Sequence, residues 1–115
     1  NVFFDSGELS GVIDFYFTCN AAYAYDLAIT LNAWCYDAQG KERPGCVKAM
    51  LDAYQSIRPL NDEERAHFPM LRRAAALRFL MTRLYDWVFT PVDAKVNKKD
   101  YNEYLNKLQI HFAWP

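Results

Sequence analysis

No charge of one sign dominates this sequence: thirteen Lys and Arg stand against fourteen Asp and Glu in 115 residues, a formal charge of −1. That balance lacks the basic footprint of a nucleic-acid-binding domain. Long apolar runs are missing as well. The stretch Ala74 to Leu77 stops at Arg78, and no segment is long and apolar enough to cross a bilayer as a helix. Cysteine is scarce: Cys19, Cys35 and Cys46 are an odd count without a C-x-x-C pair. This argues against a disulfide framework and for reduced thiols, packed as small apolar side chains in a cytoplasmic protein. Two lone histidines, His67 and His111, supply neither a zinc-type ligand set nor a His-based nucleophilic site. The four glycines, Gly7, Gly11, Gly40 and Gly45, are too scattered for a phosphate-cradling loop. Nothing resembles a secretory signal or a lipidation motif.

What is present is apolar material: 52% hydrophobic and 17% aromatic residues, enough for a packed core and too much for a disordered chain. The length suits one domain or one piece of a larger protein. Because Asn1 stands inside an apparent strand with no methionine before it, the expectation is a piece.

The opening segment reads as β structure. Val2-Phe3-Phe4 and Val12-Ile13 flank the polar stretch Asp5-Ser6-Gly7-Glu8, a hairpin pattern. With Gly7-Glu8 as its two-residue turn, Asn1 faces Asp14, whereas a four-residue loop would shift that register. Everything afterwards has helical spacing. Ala24, Leu27, Ala28, Leu31 and Cys35 share one face of a helix ending before Asp37. After Pro44, Val47, Met50, Leu51 and Tyr54 repeat at i, i+3, i+4 and i+7. Pro59 closes that helix, and Asn61 with Glu64 forms a capping box for a short one. Pro69 then opens the longest helix, from Met70 to about Phe89, with Leu77, Leu80, Met81, Leu84 and Val88 as its buried stripe. Residues 93–99 read as an exposed loop. Asp100 and Glu103 cap a last helix with apolar Tyr101, Tyr104, Leu105, Leu108 and Phe112. The expected fold is mainly α with a small N-terminal β-hairpin: residues 1–17 form the hairpin and its following loop, and residues 18–115 a helical lobe.

The segment Asn1-Val2-Phe3-Phe4-Asp5-Ser6-Gly7-Glu8-Leu9-Ser10-Gly11-Val12-Ile13-Asp14-Phe15 resembles the metal-binding hairpin of the aminoglycoside phosphotransferase and choline kinase-like superfamily. Ala24-Tyr25-Asp26-Leu27-Ala28 is similar to that family's D-L-A segment. The resemblance is closer still to its bacterial homoserine kinase branch. It is carried there by Gly11 to Phe17, Tyr25 to Ile29, Leu31-Asn32-Ala33-Trp34-Cys35, Ala74 to Leu80 and Thr82 to Trp87. Asn20-Ala21 departs from the pattern, which expects an acidic or polar residue there.

The resemblance implies the C-terminal lobe portion of a protein kinase-like fold. It implies ATP and Mg2+ as cofactors and L-homoserine as the small-molecule substrate, with Asn1 and Asp14 as oxygen donors to magnesium. The catalytic base, an Asp in an H-x-D loop, is expected upstream of Asn1, so no catalytic base is assigned within these residues. The implied protein phosphorylates homoserine on the way to threonine, and the 115 residues alone are expected to be inactive and able to self-associate. Each assignment has a plainer counterpart. Asn and Asp are common at strand ends and turns. Asp26, taken as structural support, suits a helix N-terminus. Arg78 and Arg83 are candidates for the substrate carboxylate. Arg83 also shares a helix face with Arg72, where Asp86 offers an intrahelical partner on a solvated surface. Asn32 and Trp34 are candidates for the acceptor pocket, although an aromatic on a helix is commonly core. Tyr101, Tyr104 and Trp114 are assigned to packing. The competing functions are a related kinase with an aminoalcohol or aminoglycoside acceptor, and a non-catalytic helical interaction module.

Overall fold

A tight turn with two positive φ angles sets the first element. The computed structural model describes residues 1–112; Trp114 and its packing lie outside them. Strands β1 (Val2–Asp5) and β2 (Glu8–Val12) pair antiparallel. Ser6 and Gly7 join them with φ of 51° and 87°, the signs of a type I′ turn, whose twist matches that of the strands. Glycine adopts this region freely, whereas Ser6 carries the cost of a left-handed residue. The turn thus lies one residue before the expected Gly7-Glu8. Asp5 faces Glu8 and Phe4 faces Leu9; a bulge at Ser10 then lets Phe3 face Gly11 and Val2 face Val12. The extra residue moves the open end of the ribbon back toward the expected alignment. Ile13 N–H donates to the Asn1 carbonyl at 2.9 Å. Both strands are largely exposed, and Phe4 meets Trp34 edge-on at 6.0 Å.

Helix α1 (Tyr23–Trp34) buries Ala24, Leu27, Ala28 and Leu31, and Cys35 just beyond it, on the face its spacing predicts. Helix α2 (Pro44–Ile57) starts at proline, whose missing N–H is unused in a first turn. It lays Val47, Met50, Leu51 and Tyr54 against the α1 cluster, joined by Leu60, Phe68 and Leu71. Burying a leucine such as Leu31 contributes about 1.5–3 kcal/mol.

Helix α3 corrects the reading at Pro69. The capping box forms as expected, with Glu64 N–H donating to Asn61 Oδ1 at 2.8 Å and Asn61 N–H to Glu64 Oε2 at 2.9 Å. The helix it starts, however, runs unbroken from Asp62 to Phe89 with Pro69 inside. Pro69 leaves one helix carbonyl without its donor. Phe68 and Leu71 on either side are held in the α1–α2 core, and that packing outweighs the loss. The buried stripe is also rotated from the predicted one. Ala75, Ala76 and Leu80 are buried, whereas Leu77, Met81 and Val88 are 48%, 58% and 65% exposed. Small alanines admit the neighbouring helices, so the contact face follows them rather than the largest apolar residues.

Helix α4 (Asn102–Phe112) packs along α3, with Tyr104 stacked on Phe79 at 5.1 Å. Asp100 Oδ1 accepts the Asn102 N–H at 2.9 Å, as its capping position suggests. Glu103 instead turns to Arg83 and Lys107. Residues 93–99 are mostly exposed, but Lys98 donates to the Trp87 and Thr90 carbonyls at 3.1 and 3.0 Å, satisfying the end of α3. Helix α3 is therefore the spine, flanked by α1 and α4. Among the described residues no helix is long and apolar enough to cross a membrane.

Candidate functional site

The open end of the hairpin gathers the two residues expected to hold a metal. Asn1 Nδ2 donates to Asp14 Oδ2 at 2.6 Å, and both residues are exposed. The backbone of Asp14 has φ 74°, a left-handed conformation that Asp tolerates better than most residues but still at a cost. The chain turns there as it leaves β2, and Thr18 N–H closes the next turn onto the Phe15 carbonyl at 3.0 Å. The Asp14 carboxylate raises the Tyr16 phenol above its ordinary range.

The donor set fits magnesium. The Asn1–Asp14 bond uses the amide nitrogen and one carboxylate oxygen, which leaves Asn1 Oδ1 and Asp14 Oδ1 as hard oxygen donors on an exposed edge. Among the described residues no three His, Cys, Asp or Glu converge on one point. This pair suits an ion that takes its remaining ligands from phosphate and water.

The other candidates divide. Asp26 does not cap α1: the cap position is Ala22, and no side-chain cap bond forms. Asp26 lies a turn further in, exposed, where its negative charge still favours the helix N-terminus. Trp34 is 46% exposed at the end of α1 and links it to the hairpin through Phe4. Asn32 is not a pocket residue. It is 1% exposed, donates through Nδ2 to the Arg72 carbonyl at 2.8 Å, and accepts at Oδ1 from Arg72 Nε and Nη2 at 3.3 Å each. Burial and these bonds turn the amide inward, away from any ligand at the surface.

The arginines are not one solvated face either. Arg72 pairs with Glu42, and Arg83 with Glu103 at 2.6 Å, with side chains only 12% and 14% exposed; neither uses Asp86. Arg83 also donates to the Asp100 carbonyl at 2.6 Å and lies over the Tyr104 ring. Together with Ala33, Thr82, Asp86 and Lys98 it lines a cavity of about 740 Å³. Arg78 is exposed beside the Phe79 ring and forms no ion pair among the described residues.

A buried polar cluster escaped the sequence reading. Around Asn32 stand Tyr36, Glu42, Arg72 and His111, drawn from α1, the following loop, α3 and α4. His111 Nε2 lies 3.1 Å from Asn32 Oδ1 and 3.2 Å from Tyr36 Oη. Because Asn32 Oδ1 can only accept, the neutral ring carries its proton on Nε2. Burial, reinforced by Arg72, holds the His111 pKa down at about 4; Glu42 opposes this and Arg73 adds to it. Burial likewise pushes the Tyr36 phenol up to about 12. Lys107, 2% exposed, has its ammonium 2.5 Å from Glu103 and between the Tyr36 and Tyr104 rings. Burial pushes Glu103 up, but bonds from Lys107 and Arg83 prevail and hold it below the usual carboxylate range. No spacing rule joins positions 32, 36, 42, 72 and 111; only tertiary packing does.

An exposed Asn–Asp edge on a bulged hairpin, backed by a helical lobe, is the arrangement that the hairpin's resemblance implies. Residues 1–60 match the phosphotransferase enzyme family, and the chain belongs to that family. It is 57% identical over 111 residues to a homoserine kinase of Rhizobium etli, covering 96% of this chain and 35% of that protein. Homoserine kinases of Agrobacterium fabrum and Gluconacetobacter diazotrophicus are 55% and 53% identical, over 96% and 98% of this chain and 34% and 35% of their own lengths. The chain therefore spans about a third of the curated relatives it matches.

Proposed function

We propose that this chain is the C-terminal part of an ATP-dependent homoserine kinase. The observation that supports the reading is the extent of the likeness: it runs over 111 residues, through the hairpin and all the helices, and not over the hairpin motif alone. In this reading Asn1 and Asp14 present their oxygens to magnesium on the nucleotide. A bound magnesium ion supplies charge neutralisation on the ATP phosphates as the terminal phosphoryl group passes in line to the homoserine hydroxyl. The base that accepts the hydroxyl proton belongs to an H-x-D loop preceding Asn1. Asp26 braces that loop from the first turn of α1. The homoserine carboxylate is held by Arg78, whose guanidinium has no ion-pair partner among the described residues, or by Arg83, which lines the 740 Å³ cavity. Trp34 contributes an apolar wall to the acceptor site. The reaction is that of a cytoplasmic biosynthetic enzyme.

The first test is the coding sequence immediately upstream of Asn1, where the reading requires an H-x-D segment. The second incubates the protein that includes that segment with ATP, magnesium and a panel of hydroxyl acceptors. Formation of phosphohomoserine is the expected result. Turnover of an aminoalcohol or aminoglycoside instead would transfer the chain to another branch of the family. An unrelated upstream sequence with no turnover of any acceptor would leave the helical interaction module as the function.

A further inference from the structure

Two of the three cysteines meet where α1 hands over to α2. Cys35 Sγ lies 3.2 Å from Cys46 Sγ and donates its thiol hydrogen to it; Cys46 Sγ in turn approaches the Trp34 carbonyl at 3.8 Å. The ten residues between them form a pre-folded loop. Arg43 N–H donates to the Cys35 carbonyl at 2.8 Å, Tyr36 and Glu42 form an antiparallel bridge, and Asp37 Oδ1 accepts the Gln39 and Lys41 amides at 3.0 and 2.9 Å. The backbone thus holds both thiols in place before any bond joins them.

The two sulfurs differ in setting. Cys35 is fully buried among Leu27, Leu31 and Leu60, and burial, then Cys46, push its thiol up to about 12. Cys46 is partly exposed in the first turn of α2, where a small oxidant can reach its sulfur. Cys19 is exposed on the loop before α1 and takes no part.

We propose that Cys35 and Cys46 form a reversible intramolecular disulfide when the protein meets a peroxide, with Cys46 as the attacking and Cys35 as the resolving sulfur. The Cys46 thiolate attacks one peroxide oxygen. The O–O bond breaks, and Cys46 becomes a sulfenic acid as the leaving hydroxide takes up a proton to form water. The Cys35 sulfur then displaces hydroxide from Cys46, and that hydroxide takes the Cys35 proton to form a second water. Two thiols have lost two electrons and two protons, and one hydrogen peroxide has become two waters. Bond formation requires the sulfurs to close from 3.2 Å to about 2.05 Å, a movement available to Cys46 at the start of a helix with no fully buried residue. The crosslink ties α2 to α1 and closes the loop that presents Glu42 to Arg72. A dithiol reductant reverses it by exchange. This inference stands apart from the kinase reading, since neither sulfur belongs to the hairpin site.

The test exposes the purified native protein to hydrogen peroxide, blocks remaining thiols under denaturing conditions, and maps the peptides by mass. The expected product lacks two hydrogens, links the Cys35 and Cys46 peptides, retains one blockable thiol at Cys19, and reverts with dithiothreitol. Its unfolding midpoint lies above that of the reduced protein. In Cys35→Ser, Cys46 is expected to stop at the sulfenic acid, trapped by dimedone, so the two steps separate. Should Cys35→Ser fail to fold, Cys19→Ser must still form the Cys35–Cys46 link. A native protein that yields Cys46 sulfinic acid, or intermolecular dimers through Cys19, while Cys35 remains blockable overturns the proposal.

Discussion

Asn32 decides more about the helical lobe than its size suggests. Its amide is oriented by two opposed demands: Nδ2 must donate to the Arg72 carbonyl, and Oδ1 must accept from the Arg72 guanidinium and from His111. Truncation in Asn32→Ala leaves a half-buried arginine and a half-buried imidazole short of an acceptor, and a loss of about 1–3 kcal/mol is expected in urea unfolding. His111 carries a pH dependence with a definite sign. Its folded pKa is about 4 against an ordinary 6.5, so between those values the unfolded chain binds a proton that the folded chain refuses. The stability involved is present above pH 6.5 and is lost as pH falls toward 4. Unfolding measured at pH 7 and pH 5 should show the wild type weakened at pH 5, with a smaller difference in His111→Gln. At the hairpin, Asp14→Asn removes the anionic donor while keeping the side-chain shape. On the proposed reading, in the protein that includes the upstream H-x-D segment, it should lower phosphoryl transfer by at least about 100-fold with an unchanged circular dichroism spectrum. Retained turnover at saturating magnesium and ATP would sink the metal assignment.

At the scale of elements, α3 is held at both ends and interrupted between them. The Asn61–Glu64 capping box satisfies its first turn, and Lys98 reaches back to its last carbonyls. Pro69 sits between these anchors, exposed, in a helix of 28 residues. Restoring the missing donor with Pro69→Ala should therefore raise stability, by roughly 1–3 kcal/mol on the helix-interior scale. A higher denaturant midpoint with an unchanged slope is the expected reading. A lower midpoint would mean that the proline ring supplies contacts worth more than its absent N–H. The turn between β1 and β2 follows the same logic in reverse: its two positive φ angles are met by a serine and a glycine, and only the glycine is suited to them.

For the molecule as a whole, the lobe presents two large apolar areas outward. One is the hairpin region, where Phe3, Phe4, Phe15 and Phe17 are 52–77% exposed. The other is the α3 stripe of Leu77, Met81, Tyr85 and Val88, at 48–65%. Exposed surface of this kind drives association. The 115-residue chain alone is expected to sediment with a concentration-dependent mass and to transfer no phosphate to homoserine. On the proposed reading, phosphoryl transfer is mostly positioning, and Asn1 and Asp14 apart from the H-x-D base position nothing. Leu77→Glu with Met81→Lys should shift the chain toward monomer. A monomer at every concentration in the unsubstituted chain would refute the association. Phosphohomoserine made by the rigorously purified chain would refute the division of the site.

Local chemistry was enough to place much of this in advance. The hairpin, the α1 face, the capping box and the last helix follow from turn residues, apolar spacing and side-chain caps, all set by neighbours a few positions apart. The meeting of Asn1 and Asp14 was legible too, although through a turn one residue out of place that a bulge at Ser10 offsets. Tertiary structure decided the rest. It carried α3 through Pro69, because packing at Phe68 and Leu71 exceeds the loss of one hydrogen bond. It turned Ala75 and Ala76 inward in place of Leu77 and Met81, because contact distance between helices favours the smallest side chains. It also drew Asn32, Tyr36, Glu42, Arg72 and His111 into one polar cluster. Pairing across thirty or more positions leaves no periodic trace in a sequence, since it depends on where whole helices lie against one another.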